Sequence, residues 1–91
     1  MANQIFVTVY GVDKVGIVAE VAAALAKLEV NIEDIKQTLM QGHFVMFMLC
    51  DIEKSSYSFK EIKEEITNVS KNMGMEIWVQ KREIFDKMHE I

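Results

Sequence analysis

The apolar residues of this 91-residue chain change their spacing in a set order, and that order limits the fold more than any other feature. Gln4–Tyr10 is β-branched and aromatic and alternates as a strand does, with Ile5, Val7 and Val9 on one face and Phe6, Thr8 and Tyr10 on the other. Gly11–Gly16 follows as a turn segment bounded by two glycines. From Ile17 the spacing becomes helical. Ile17, Val18, Val21, Ala22, Leu25 and Leu28 fall on one stripe, and five alanines between positions 19 and 26 favour helix. Asn31–Met40 returns to strand character. Ile32 and Ile35 have opposite parity there, so a bulge near Glu33-Asp34 is expected. Gln41-Gly42 reverses the chain into a third strand, His43–Ile52, which is apolar on both parities. Val45, Phe47 and Leu49 lie on one side of it; Phe44, Met46, Met48 and Cys50 lie on the other.

Ser58 opens a second helix. Its hydroxyl and the Glu61 carboxylate have capping-box spacing, and Tyr57 and Ile62 occupy the staple positions. Phe59, Ile62, Ile66, Val69 and Met73 make its apolar stripe, Lys60–Glu64 is an i,i+4 pair on the wet face, and Gly74 stands where a left-handed cap belongs. Met75–Gln80 is a fourth strand. The tail, 82–91, regains helical spacing through Ile84, Phe85, Met88 and Ile91. The order is βαββαβ plus a short C-terminal helix. It predicts an α+β, ferredoxin-like sandwich: a four-stranded antiparallel sheet with two helices on one face, forming a single domain over 1–91. That plan hosts many unrelated activities, so function has to come from particular residues.

Composition removes several classes. The net charge of −4 argues against a nucleic-acid surface. The longest strictly apolar run, Phe44–Cys50, has seven residues, whereas a spanning helix needs about 20. The N-terminus is uncharged through Val12 and reads as a strand, so neither a secretory leader nor membrane association is expected. Cys50 is the one cysteine and has no disulfide partner within the chain, which fits a cytoplasmic location. With two distant histidines, His43 and His89, no metal site is expected, and nothing calls for a cofactor.

Enzymes known on this plan lack their residues here. An acylphosphatase-like site needs an arginine in the first loop, and the sole arginine is Arg82. A copper chaperone needs Cys-x-x-Cys there. Glu33 and Asp34 are adjacent and face opposite ways on a regular strand. Cys50 has no histidine partner and reads as a small buried hydrophobe; His43 reads as a solvated hairpin residue. The chain is therefore read as non-catalytic.

Two surfaces remain. On the face away from the helices the parity places Phe6, Tyr10, Trp78, Phe44, Met46 and Met48, a patch that needs a cover from the tail, a second subunit or a ligand. RNA-recognition motifs share the element order, but Gly42-His43-Phe44-Val45-Met46-Phe47 matches their stacking motif only in part and lacks its leading basic residue. The other surface is the loop Gly11–Val18. It leaves a strand and enters a helix whose first N–H groups are unpaired and suited to an anion. Gly16 admits a close approach and Lys14 adds a cation, although neither phosphate-loop nor dinucleotide spacing is present. Asp13 and Gly16 also read simply as turn formers.

Asp13-Lys14-Val15-Gly16-Ile17-Val18-Ala19, with Leu28-Glu29-Val30-Asn31-Ile32-Glu33-Asp34-Ile35 after the helix, resembles the ACT domain. The whole chain resembles the short stand-alone ACT proteins grouped as a UPF family, related to the glycine-cleavage repressor. The resemblance implies a regulatory module that binds an amino acid or similar small ligand at a subunit interface. By position it implies ligand contacts from Asp13, Lys14, Val15, Gly16, Ile17 and Val18, with Asn31 and Ile32 from the second strand. In those terms the helix N-terminus and Lys14 suit a carboxylate, and Asn31 offers a donor and an acceptor. Asp13 suits the ligand's ammonium. The partners expected are an amino acid, a second copy in a homo-oligomer with the dimer as the simplest state, and a regulated protein. Some ACT domains only associate, so a purely structural interaction module is the alternative.

Overall fold

The computed structural model describes residues 3–12 and 14–83. They form β1 (Gln4–Val12), α1 (Ile17–Lys27), β2 (Asn31–Met40), β3 (His43–Asp51), α2 (Phe59–Asn72) and β4 (Glu76–Lys81), the expected βαββαβ order. The sheet runs β2-β3-β1-β4, every neighbouring pair antiparallel. The expected tail helix falls almost wholly on residues 84–91, outside the described residues.

One side of the sheet and the inner faces of both helices make the core. Ile5, Val7 and Val9 are fully buried there, and register decides what joins them: Val7 pairs with Met48 and Val9 with Met46. Directly opposed residues share a face. Met46, Met48, Phe44 and Cys50 therefore point into the core under the helices, with Phe44 the most exposed of them at 8 %. This corrects the sequence expectation that Phe44, Met46 and Met48 lie on the open face. With both parities of β3 apolar, only the partner strand shows which side is inside. The open face instead carries the half-buried Val45, Phe47 and Leu49 beside Phe6, Tyr10 and Trp78. Phe6 and Phe47 stack there with ring centroids 4.8 Å apart.

Local signals explain the boundaries. β1 runs two residues further than its alternation suggests. Gly11 stays in the strand because its backbone passes Met75, whose Sδ would lie 2.6 Å from an added Cβ. The bulge expected in β2 appears as a register shift between Ile32 and Asp34, and it leaves Ile32 and Ile35 on the same side, opposite Cys50 and Met48. Gln41 and Gly42 both have positive φ, 49° and 82°, the pattern of a two-residue type I′ hairpin. On α2, Ser58 Oγ accepts from Glu61 N at 3.1 Å and Ser58 N donates to Glu61 Oε1 at 2.8 Å, completing the capping box. Gly74 at φ 73° ends that helix: Gly74 N donates to the Lys71 carbonyl and Met75 N to that of Ser70, the paired bonds of a Schellman cap.

The buried stripes differ slightly from the sequence reading. Ala24 replaces Val18 and Ala22 on α1, leaving Val18 37 % exposed. Ser70 joins Ile62 and Ile66 on α2, its hydroxyl donating to the Ile66 carbonyl.

Candidate functional site

The segment between β1 and α1 is built around a left-handed residue. Gly16 is the N-cap of α1 with φ 87° and ψ 3°, a conformation that costs any other residue strain. A Cβ at Gly16 would meet none of the described residues within 4 Å, so the loop is open on that side of Gly16. Among the described residues no side chain caps the first turn, and Glu20 N donates to the Gly16 carbonyl at 2.9 Å as the first helical bond. The amides of Ile17, Val18 and Ala19 precede that bond and point out of the helix end, where the dipole favours negative charge. Ile17 anchors the turn through a buried side chain, whereas Val15 is fully exposed. A helix end that none of the described side chains caps, behind a glycine that none of them obstructs, can accept a carboxylate or another small anion.

Lys14 is directed elsewhere. Its Nζ donates to the Met73 carbonyl at 2.9 Å, fastening the loop to the C-terminus of α2, where the helix dipole favours a cation. Asp13 lies outside the described residues. Asn31 and Ile32 do not join the loop within one chain. Asn31 pairs with Asp51, and Asp51 with Gln4, at one end of the sheet; Met40 pairs with His43, and His43 with Val12, at the other. The loop follows Val12. Asn31 is therefore a strand's length away, roughly 30 Å at about 3.4 Å per residue.

The remaining chemistry-bearing residues are accounted for by packing. Cys50 is fully buried, and burial pushes its thiol up to about 12, with Glu33 adding to the shift. His43 is exposed and stacks on Tyr10 at 6.0 Å between centroids. Among the described residues, no group of three His, Cys, Asp or Glu side chains is placed to hold a metal ion, and no helix is long and apolar enough to cross a membrane.

Sequence reasoning did not single out Glu29. It takes φ 63° just beyond α1, a position that usually requires glycine. Its carboxylate accepts from Ser56 N at 2.8 Å and Ser56 Oγ at 2.7 Å, and these bonds hold its pKa below the ordinary carboxylate value. The latch joins the end of α1 to the segment before α2, and nothing in the local spacing announces it.

The ACT domain family model matches residues 3–80. A UPF0237 protein of Methanococcus maripaludis is 46% identical over 89 residues, covering 98% of this chain and 99% of its own length. A UPF0237 protein of Listeria innocua is 45% identical over 84 residues, covering 92% of this chain and 94% of its own. An ACT domain protein from Streptococcus pneumoniae has a solved structure that superposes with a TM-score of 0.82 at 31% identity, covering 94% of this chain and 97% of that one.

Proposed function

We propose that this chain, which belongs to the ACT domain family, is a non-catalytic regulatory module of the cytoplasm that responds to an amino acid as a single-domain homodimer. The observation that carries the reading is the N-terminus of α1 behind Gly16, which no described side chain caps or obstructs. The amides of Ile17 and Val18 take the ligand carboxylate, Gly16 lets it approach, Val15 flanks it, and Lys14 holds the loop in place through Met73. Asp13 keeps the role the family resemblance implies, a contact to the ligand's ammonium.

The separation of Asn31 from the loop supports a site completed by a second copy. β2 is an edge strand of ten residues, and nine of them are exposed. A long exposed edge is a template for pairing. Two β2 strands pairing antiparallel about a two-fold axis would bring Asn31 and Ile32 of one copy to the Leu39–Met40 end of the other, the end at which Lys14–Val18 lie. A register centred on Ile35 would set Asp34 of each copy opposite Lys36 of the other, a favourable cross-strand charge pair. It would also cover Ile35 and Leu39, which are 41 % and 57 % exposed.

The test is a thermal-shift screen of the amino acids. A ligand at 100 times its Kd raises stability by about 2.7 kcal/mol. We expect at least one amino acid to raise the melting temperature of the natural chain and to leave Gly16→Leu unmoved. A screen in which none does so removes the ligand and leaves a purely structural interaction module. The engagement of the Lys14 ammonium by the Met73 carbonyl, which takes a cation from the loop, is the one observation favouring that second reading.

A further inference from the structure

α1 and α2 lie side by side on the outer surface and enclose an open groove of about 790 Å³. The apolar surface it offers comes from the exposed Ala23 of α1 and the half-buried Val69 of α2, above the buried Ala24 and Leu28. The small side chain of Ala23 lets another backbone come close, and Tyr57, 42 % exposed, stands at the groove as an aromatic anchor. The walls are acidic. Glu20, Glu64 and Glu65 are all exposed there, and Glu61 adds a fourth carboxylate that is already committed to the α2 cap. Lys27 is the single cation among the lining residues. Glu61 and Glu65 stand four apart on α2, an arrangement that disfavours the isolated helix. Neither the sheet packing nor the loop before α1 uses these carboxylates.

We infer that the α1–α2 groove docks a basic amphipathic helix of a partner protein, whose apolar face lies on Ala23, Tyr57 and Val69 and whose lysines or arginines meet Glu20, Glu64 and Glu65. Helix-in-groove recognition needs an apolar trough of this kind, and the carboxylate walls select the charge of the occupant and speed its encounter. The inference stands on the groove and does not depend on the amino-acid reading.

The probe is a fluorescent synthetic peptide of about 18 residues, leucine and lysine at helical spacing, titrated by anisotropy into the full chain at about 0.15 M salt, where long-range charge effects are largely screened. A scrambled peptide of the same composition is the control. We expect the amphipathic peptide to bind at least ten-fold more tightly than the scrambled one. Glu64→Lys with Glu65→Lys should weaken it ten-fold or more, and Glu53→Lys with Glu76→Lys, the same charge change outside the groove, less than three-fold. If the lysine pair unfolds the chain by circular dichroism, Glu64→Gln with Glu65→Gln replaces it, with at least a three-fold loss expected. No binding, equal binding of the two peptides, or equal loss in groove and control variants would overturn the inference. Self-association mapped to the same groove would also overturn it, because a second copy would then be the occupant.

Discussion

Lys14 Nζ sits 2.9 Å from the Met73 carbonyl oxygen and 3.1 Å from the place a Cβ would occupy at Gly74, so one lysine ties the loop before α1 to the cap that ends α2. The two residues should be energetically coupled. Lys14→Ala removes an exposed, charge-assisted bond and should cost about 0.5–1 kcal/mol. Gly74→Ala forces a side chain into φ 73° and crowds the ammonium, and should cost about 1–2 kcal/mol. Urea unfolding of the double variant should show less than the sum of the two losses. Strict additivity would mean that the lysine does not occupy this position in solution.

Met46 and Val45 are neighbours on β3 with opposite fates, one fully buried and one half-buried on the open face. Met46→Ala should cost about 2–5 kcal/mol through the cavity it leaves. Val45→Ala should cost about 1 kcal/mol, since less of its surface leaves water on folding. Denaturant midpoints for the pair check the assignment of faces, and similar losses would contradict it.

Cys50 should be inert to thiol reagents at pH 8 in the folded protein and reactive once urea unfolds it. Its thiol titrates near 12 when folded against 9.0 ordinarily. The sign follows from proton binding: above about pH 9 the unfolded chain loses this proton and the folded chain keeps it, so stability falls as pH rises from there. Cys50→Ser should remove that alkaline loss. It should also destabilise by about 1–3 kcal/mol at neutral pH, because a hydroxyl costs more to desolvate than a thiol at a fully buried position.

Glu29 acts in the opposite direction. Its folded pKa is lowered by the Ser56 bonds, so its contribution is present above the ordinary carboxylate pKa of 4.5 and is lost as pH falls through the lowered value. Glu29→Gln should flatten the acid limb of the stability curve, whereas Ser56→Ala, which keeps the larger backbone bond, should flatten it only in part. An unchanged acid limb would show that the latch does not form.

Sedimentation of the natural chain should give a mass near twice 10.5 kDa. Ile35→Asp, which sets like charges opposite each other at the centre of the proposed register, should give the monomer. A natural chain that is monomeric at tens of micromolar would dismiss the β2 pairing.

Much of this architecture was legible in the residues because each element carries two agreeing signals. α2 has its apolar stripe, the Ser58–Glu61 box and Gly74; β2 has its bulge and the Gln41-Gly42 reversal. β3 was not, because an element apolar on both parities has no inside until a partner strand gives it one, and Val7 opposite Met48 does so. The candidate site was legible as a loop and illegible as an assembly. Gly16 announces the turn, whereas the distance from Lys14 to Asn31 follows from the antiparallel order, in which Val12 and Asn31 end up at opposite ends of the sheet. The grip of Lys14 on Met73 joins residues 59 positions apart and leaves no trace in local spacing.

The most direct measurement of the central claim is an amide chemical-shift titration of the isotope-labelled chain with an amino acid that raises its melting temperature. The account predicts that the amides of Gly16, Ile17 and Val18 move together with those of Asn31 and Ile32, saturating at one ligand concentration, although the two segments lie a strand's length apart in one copy. Shifts confined to one segment would contradict a site shared between two copies, and unmoved amides at both would contradict the site itself.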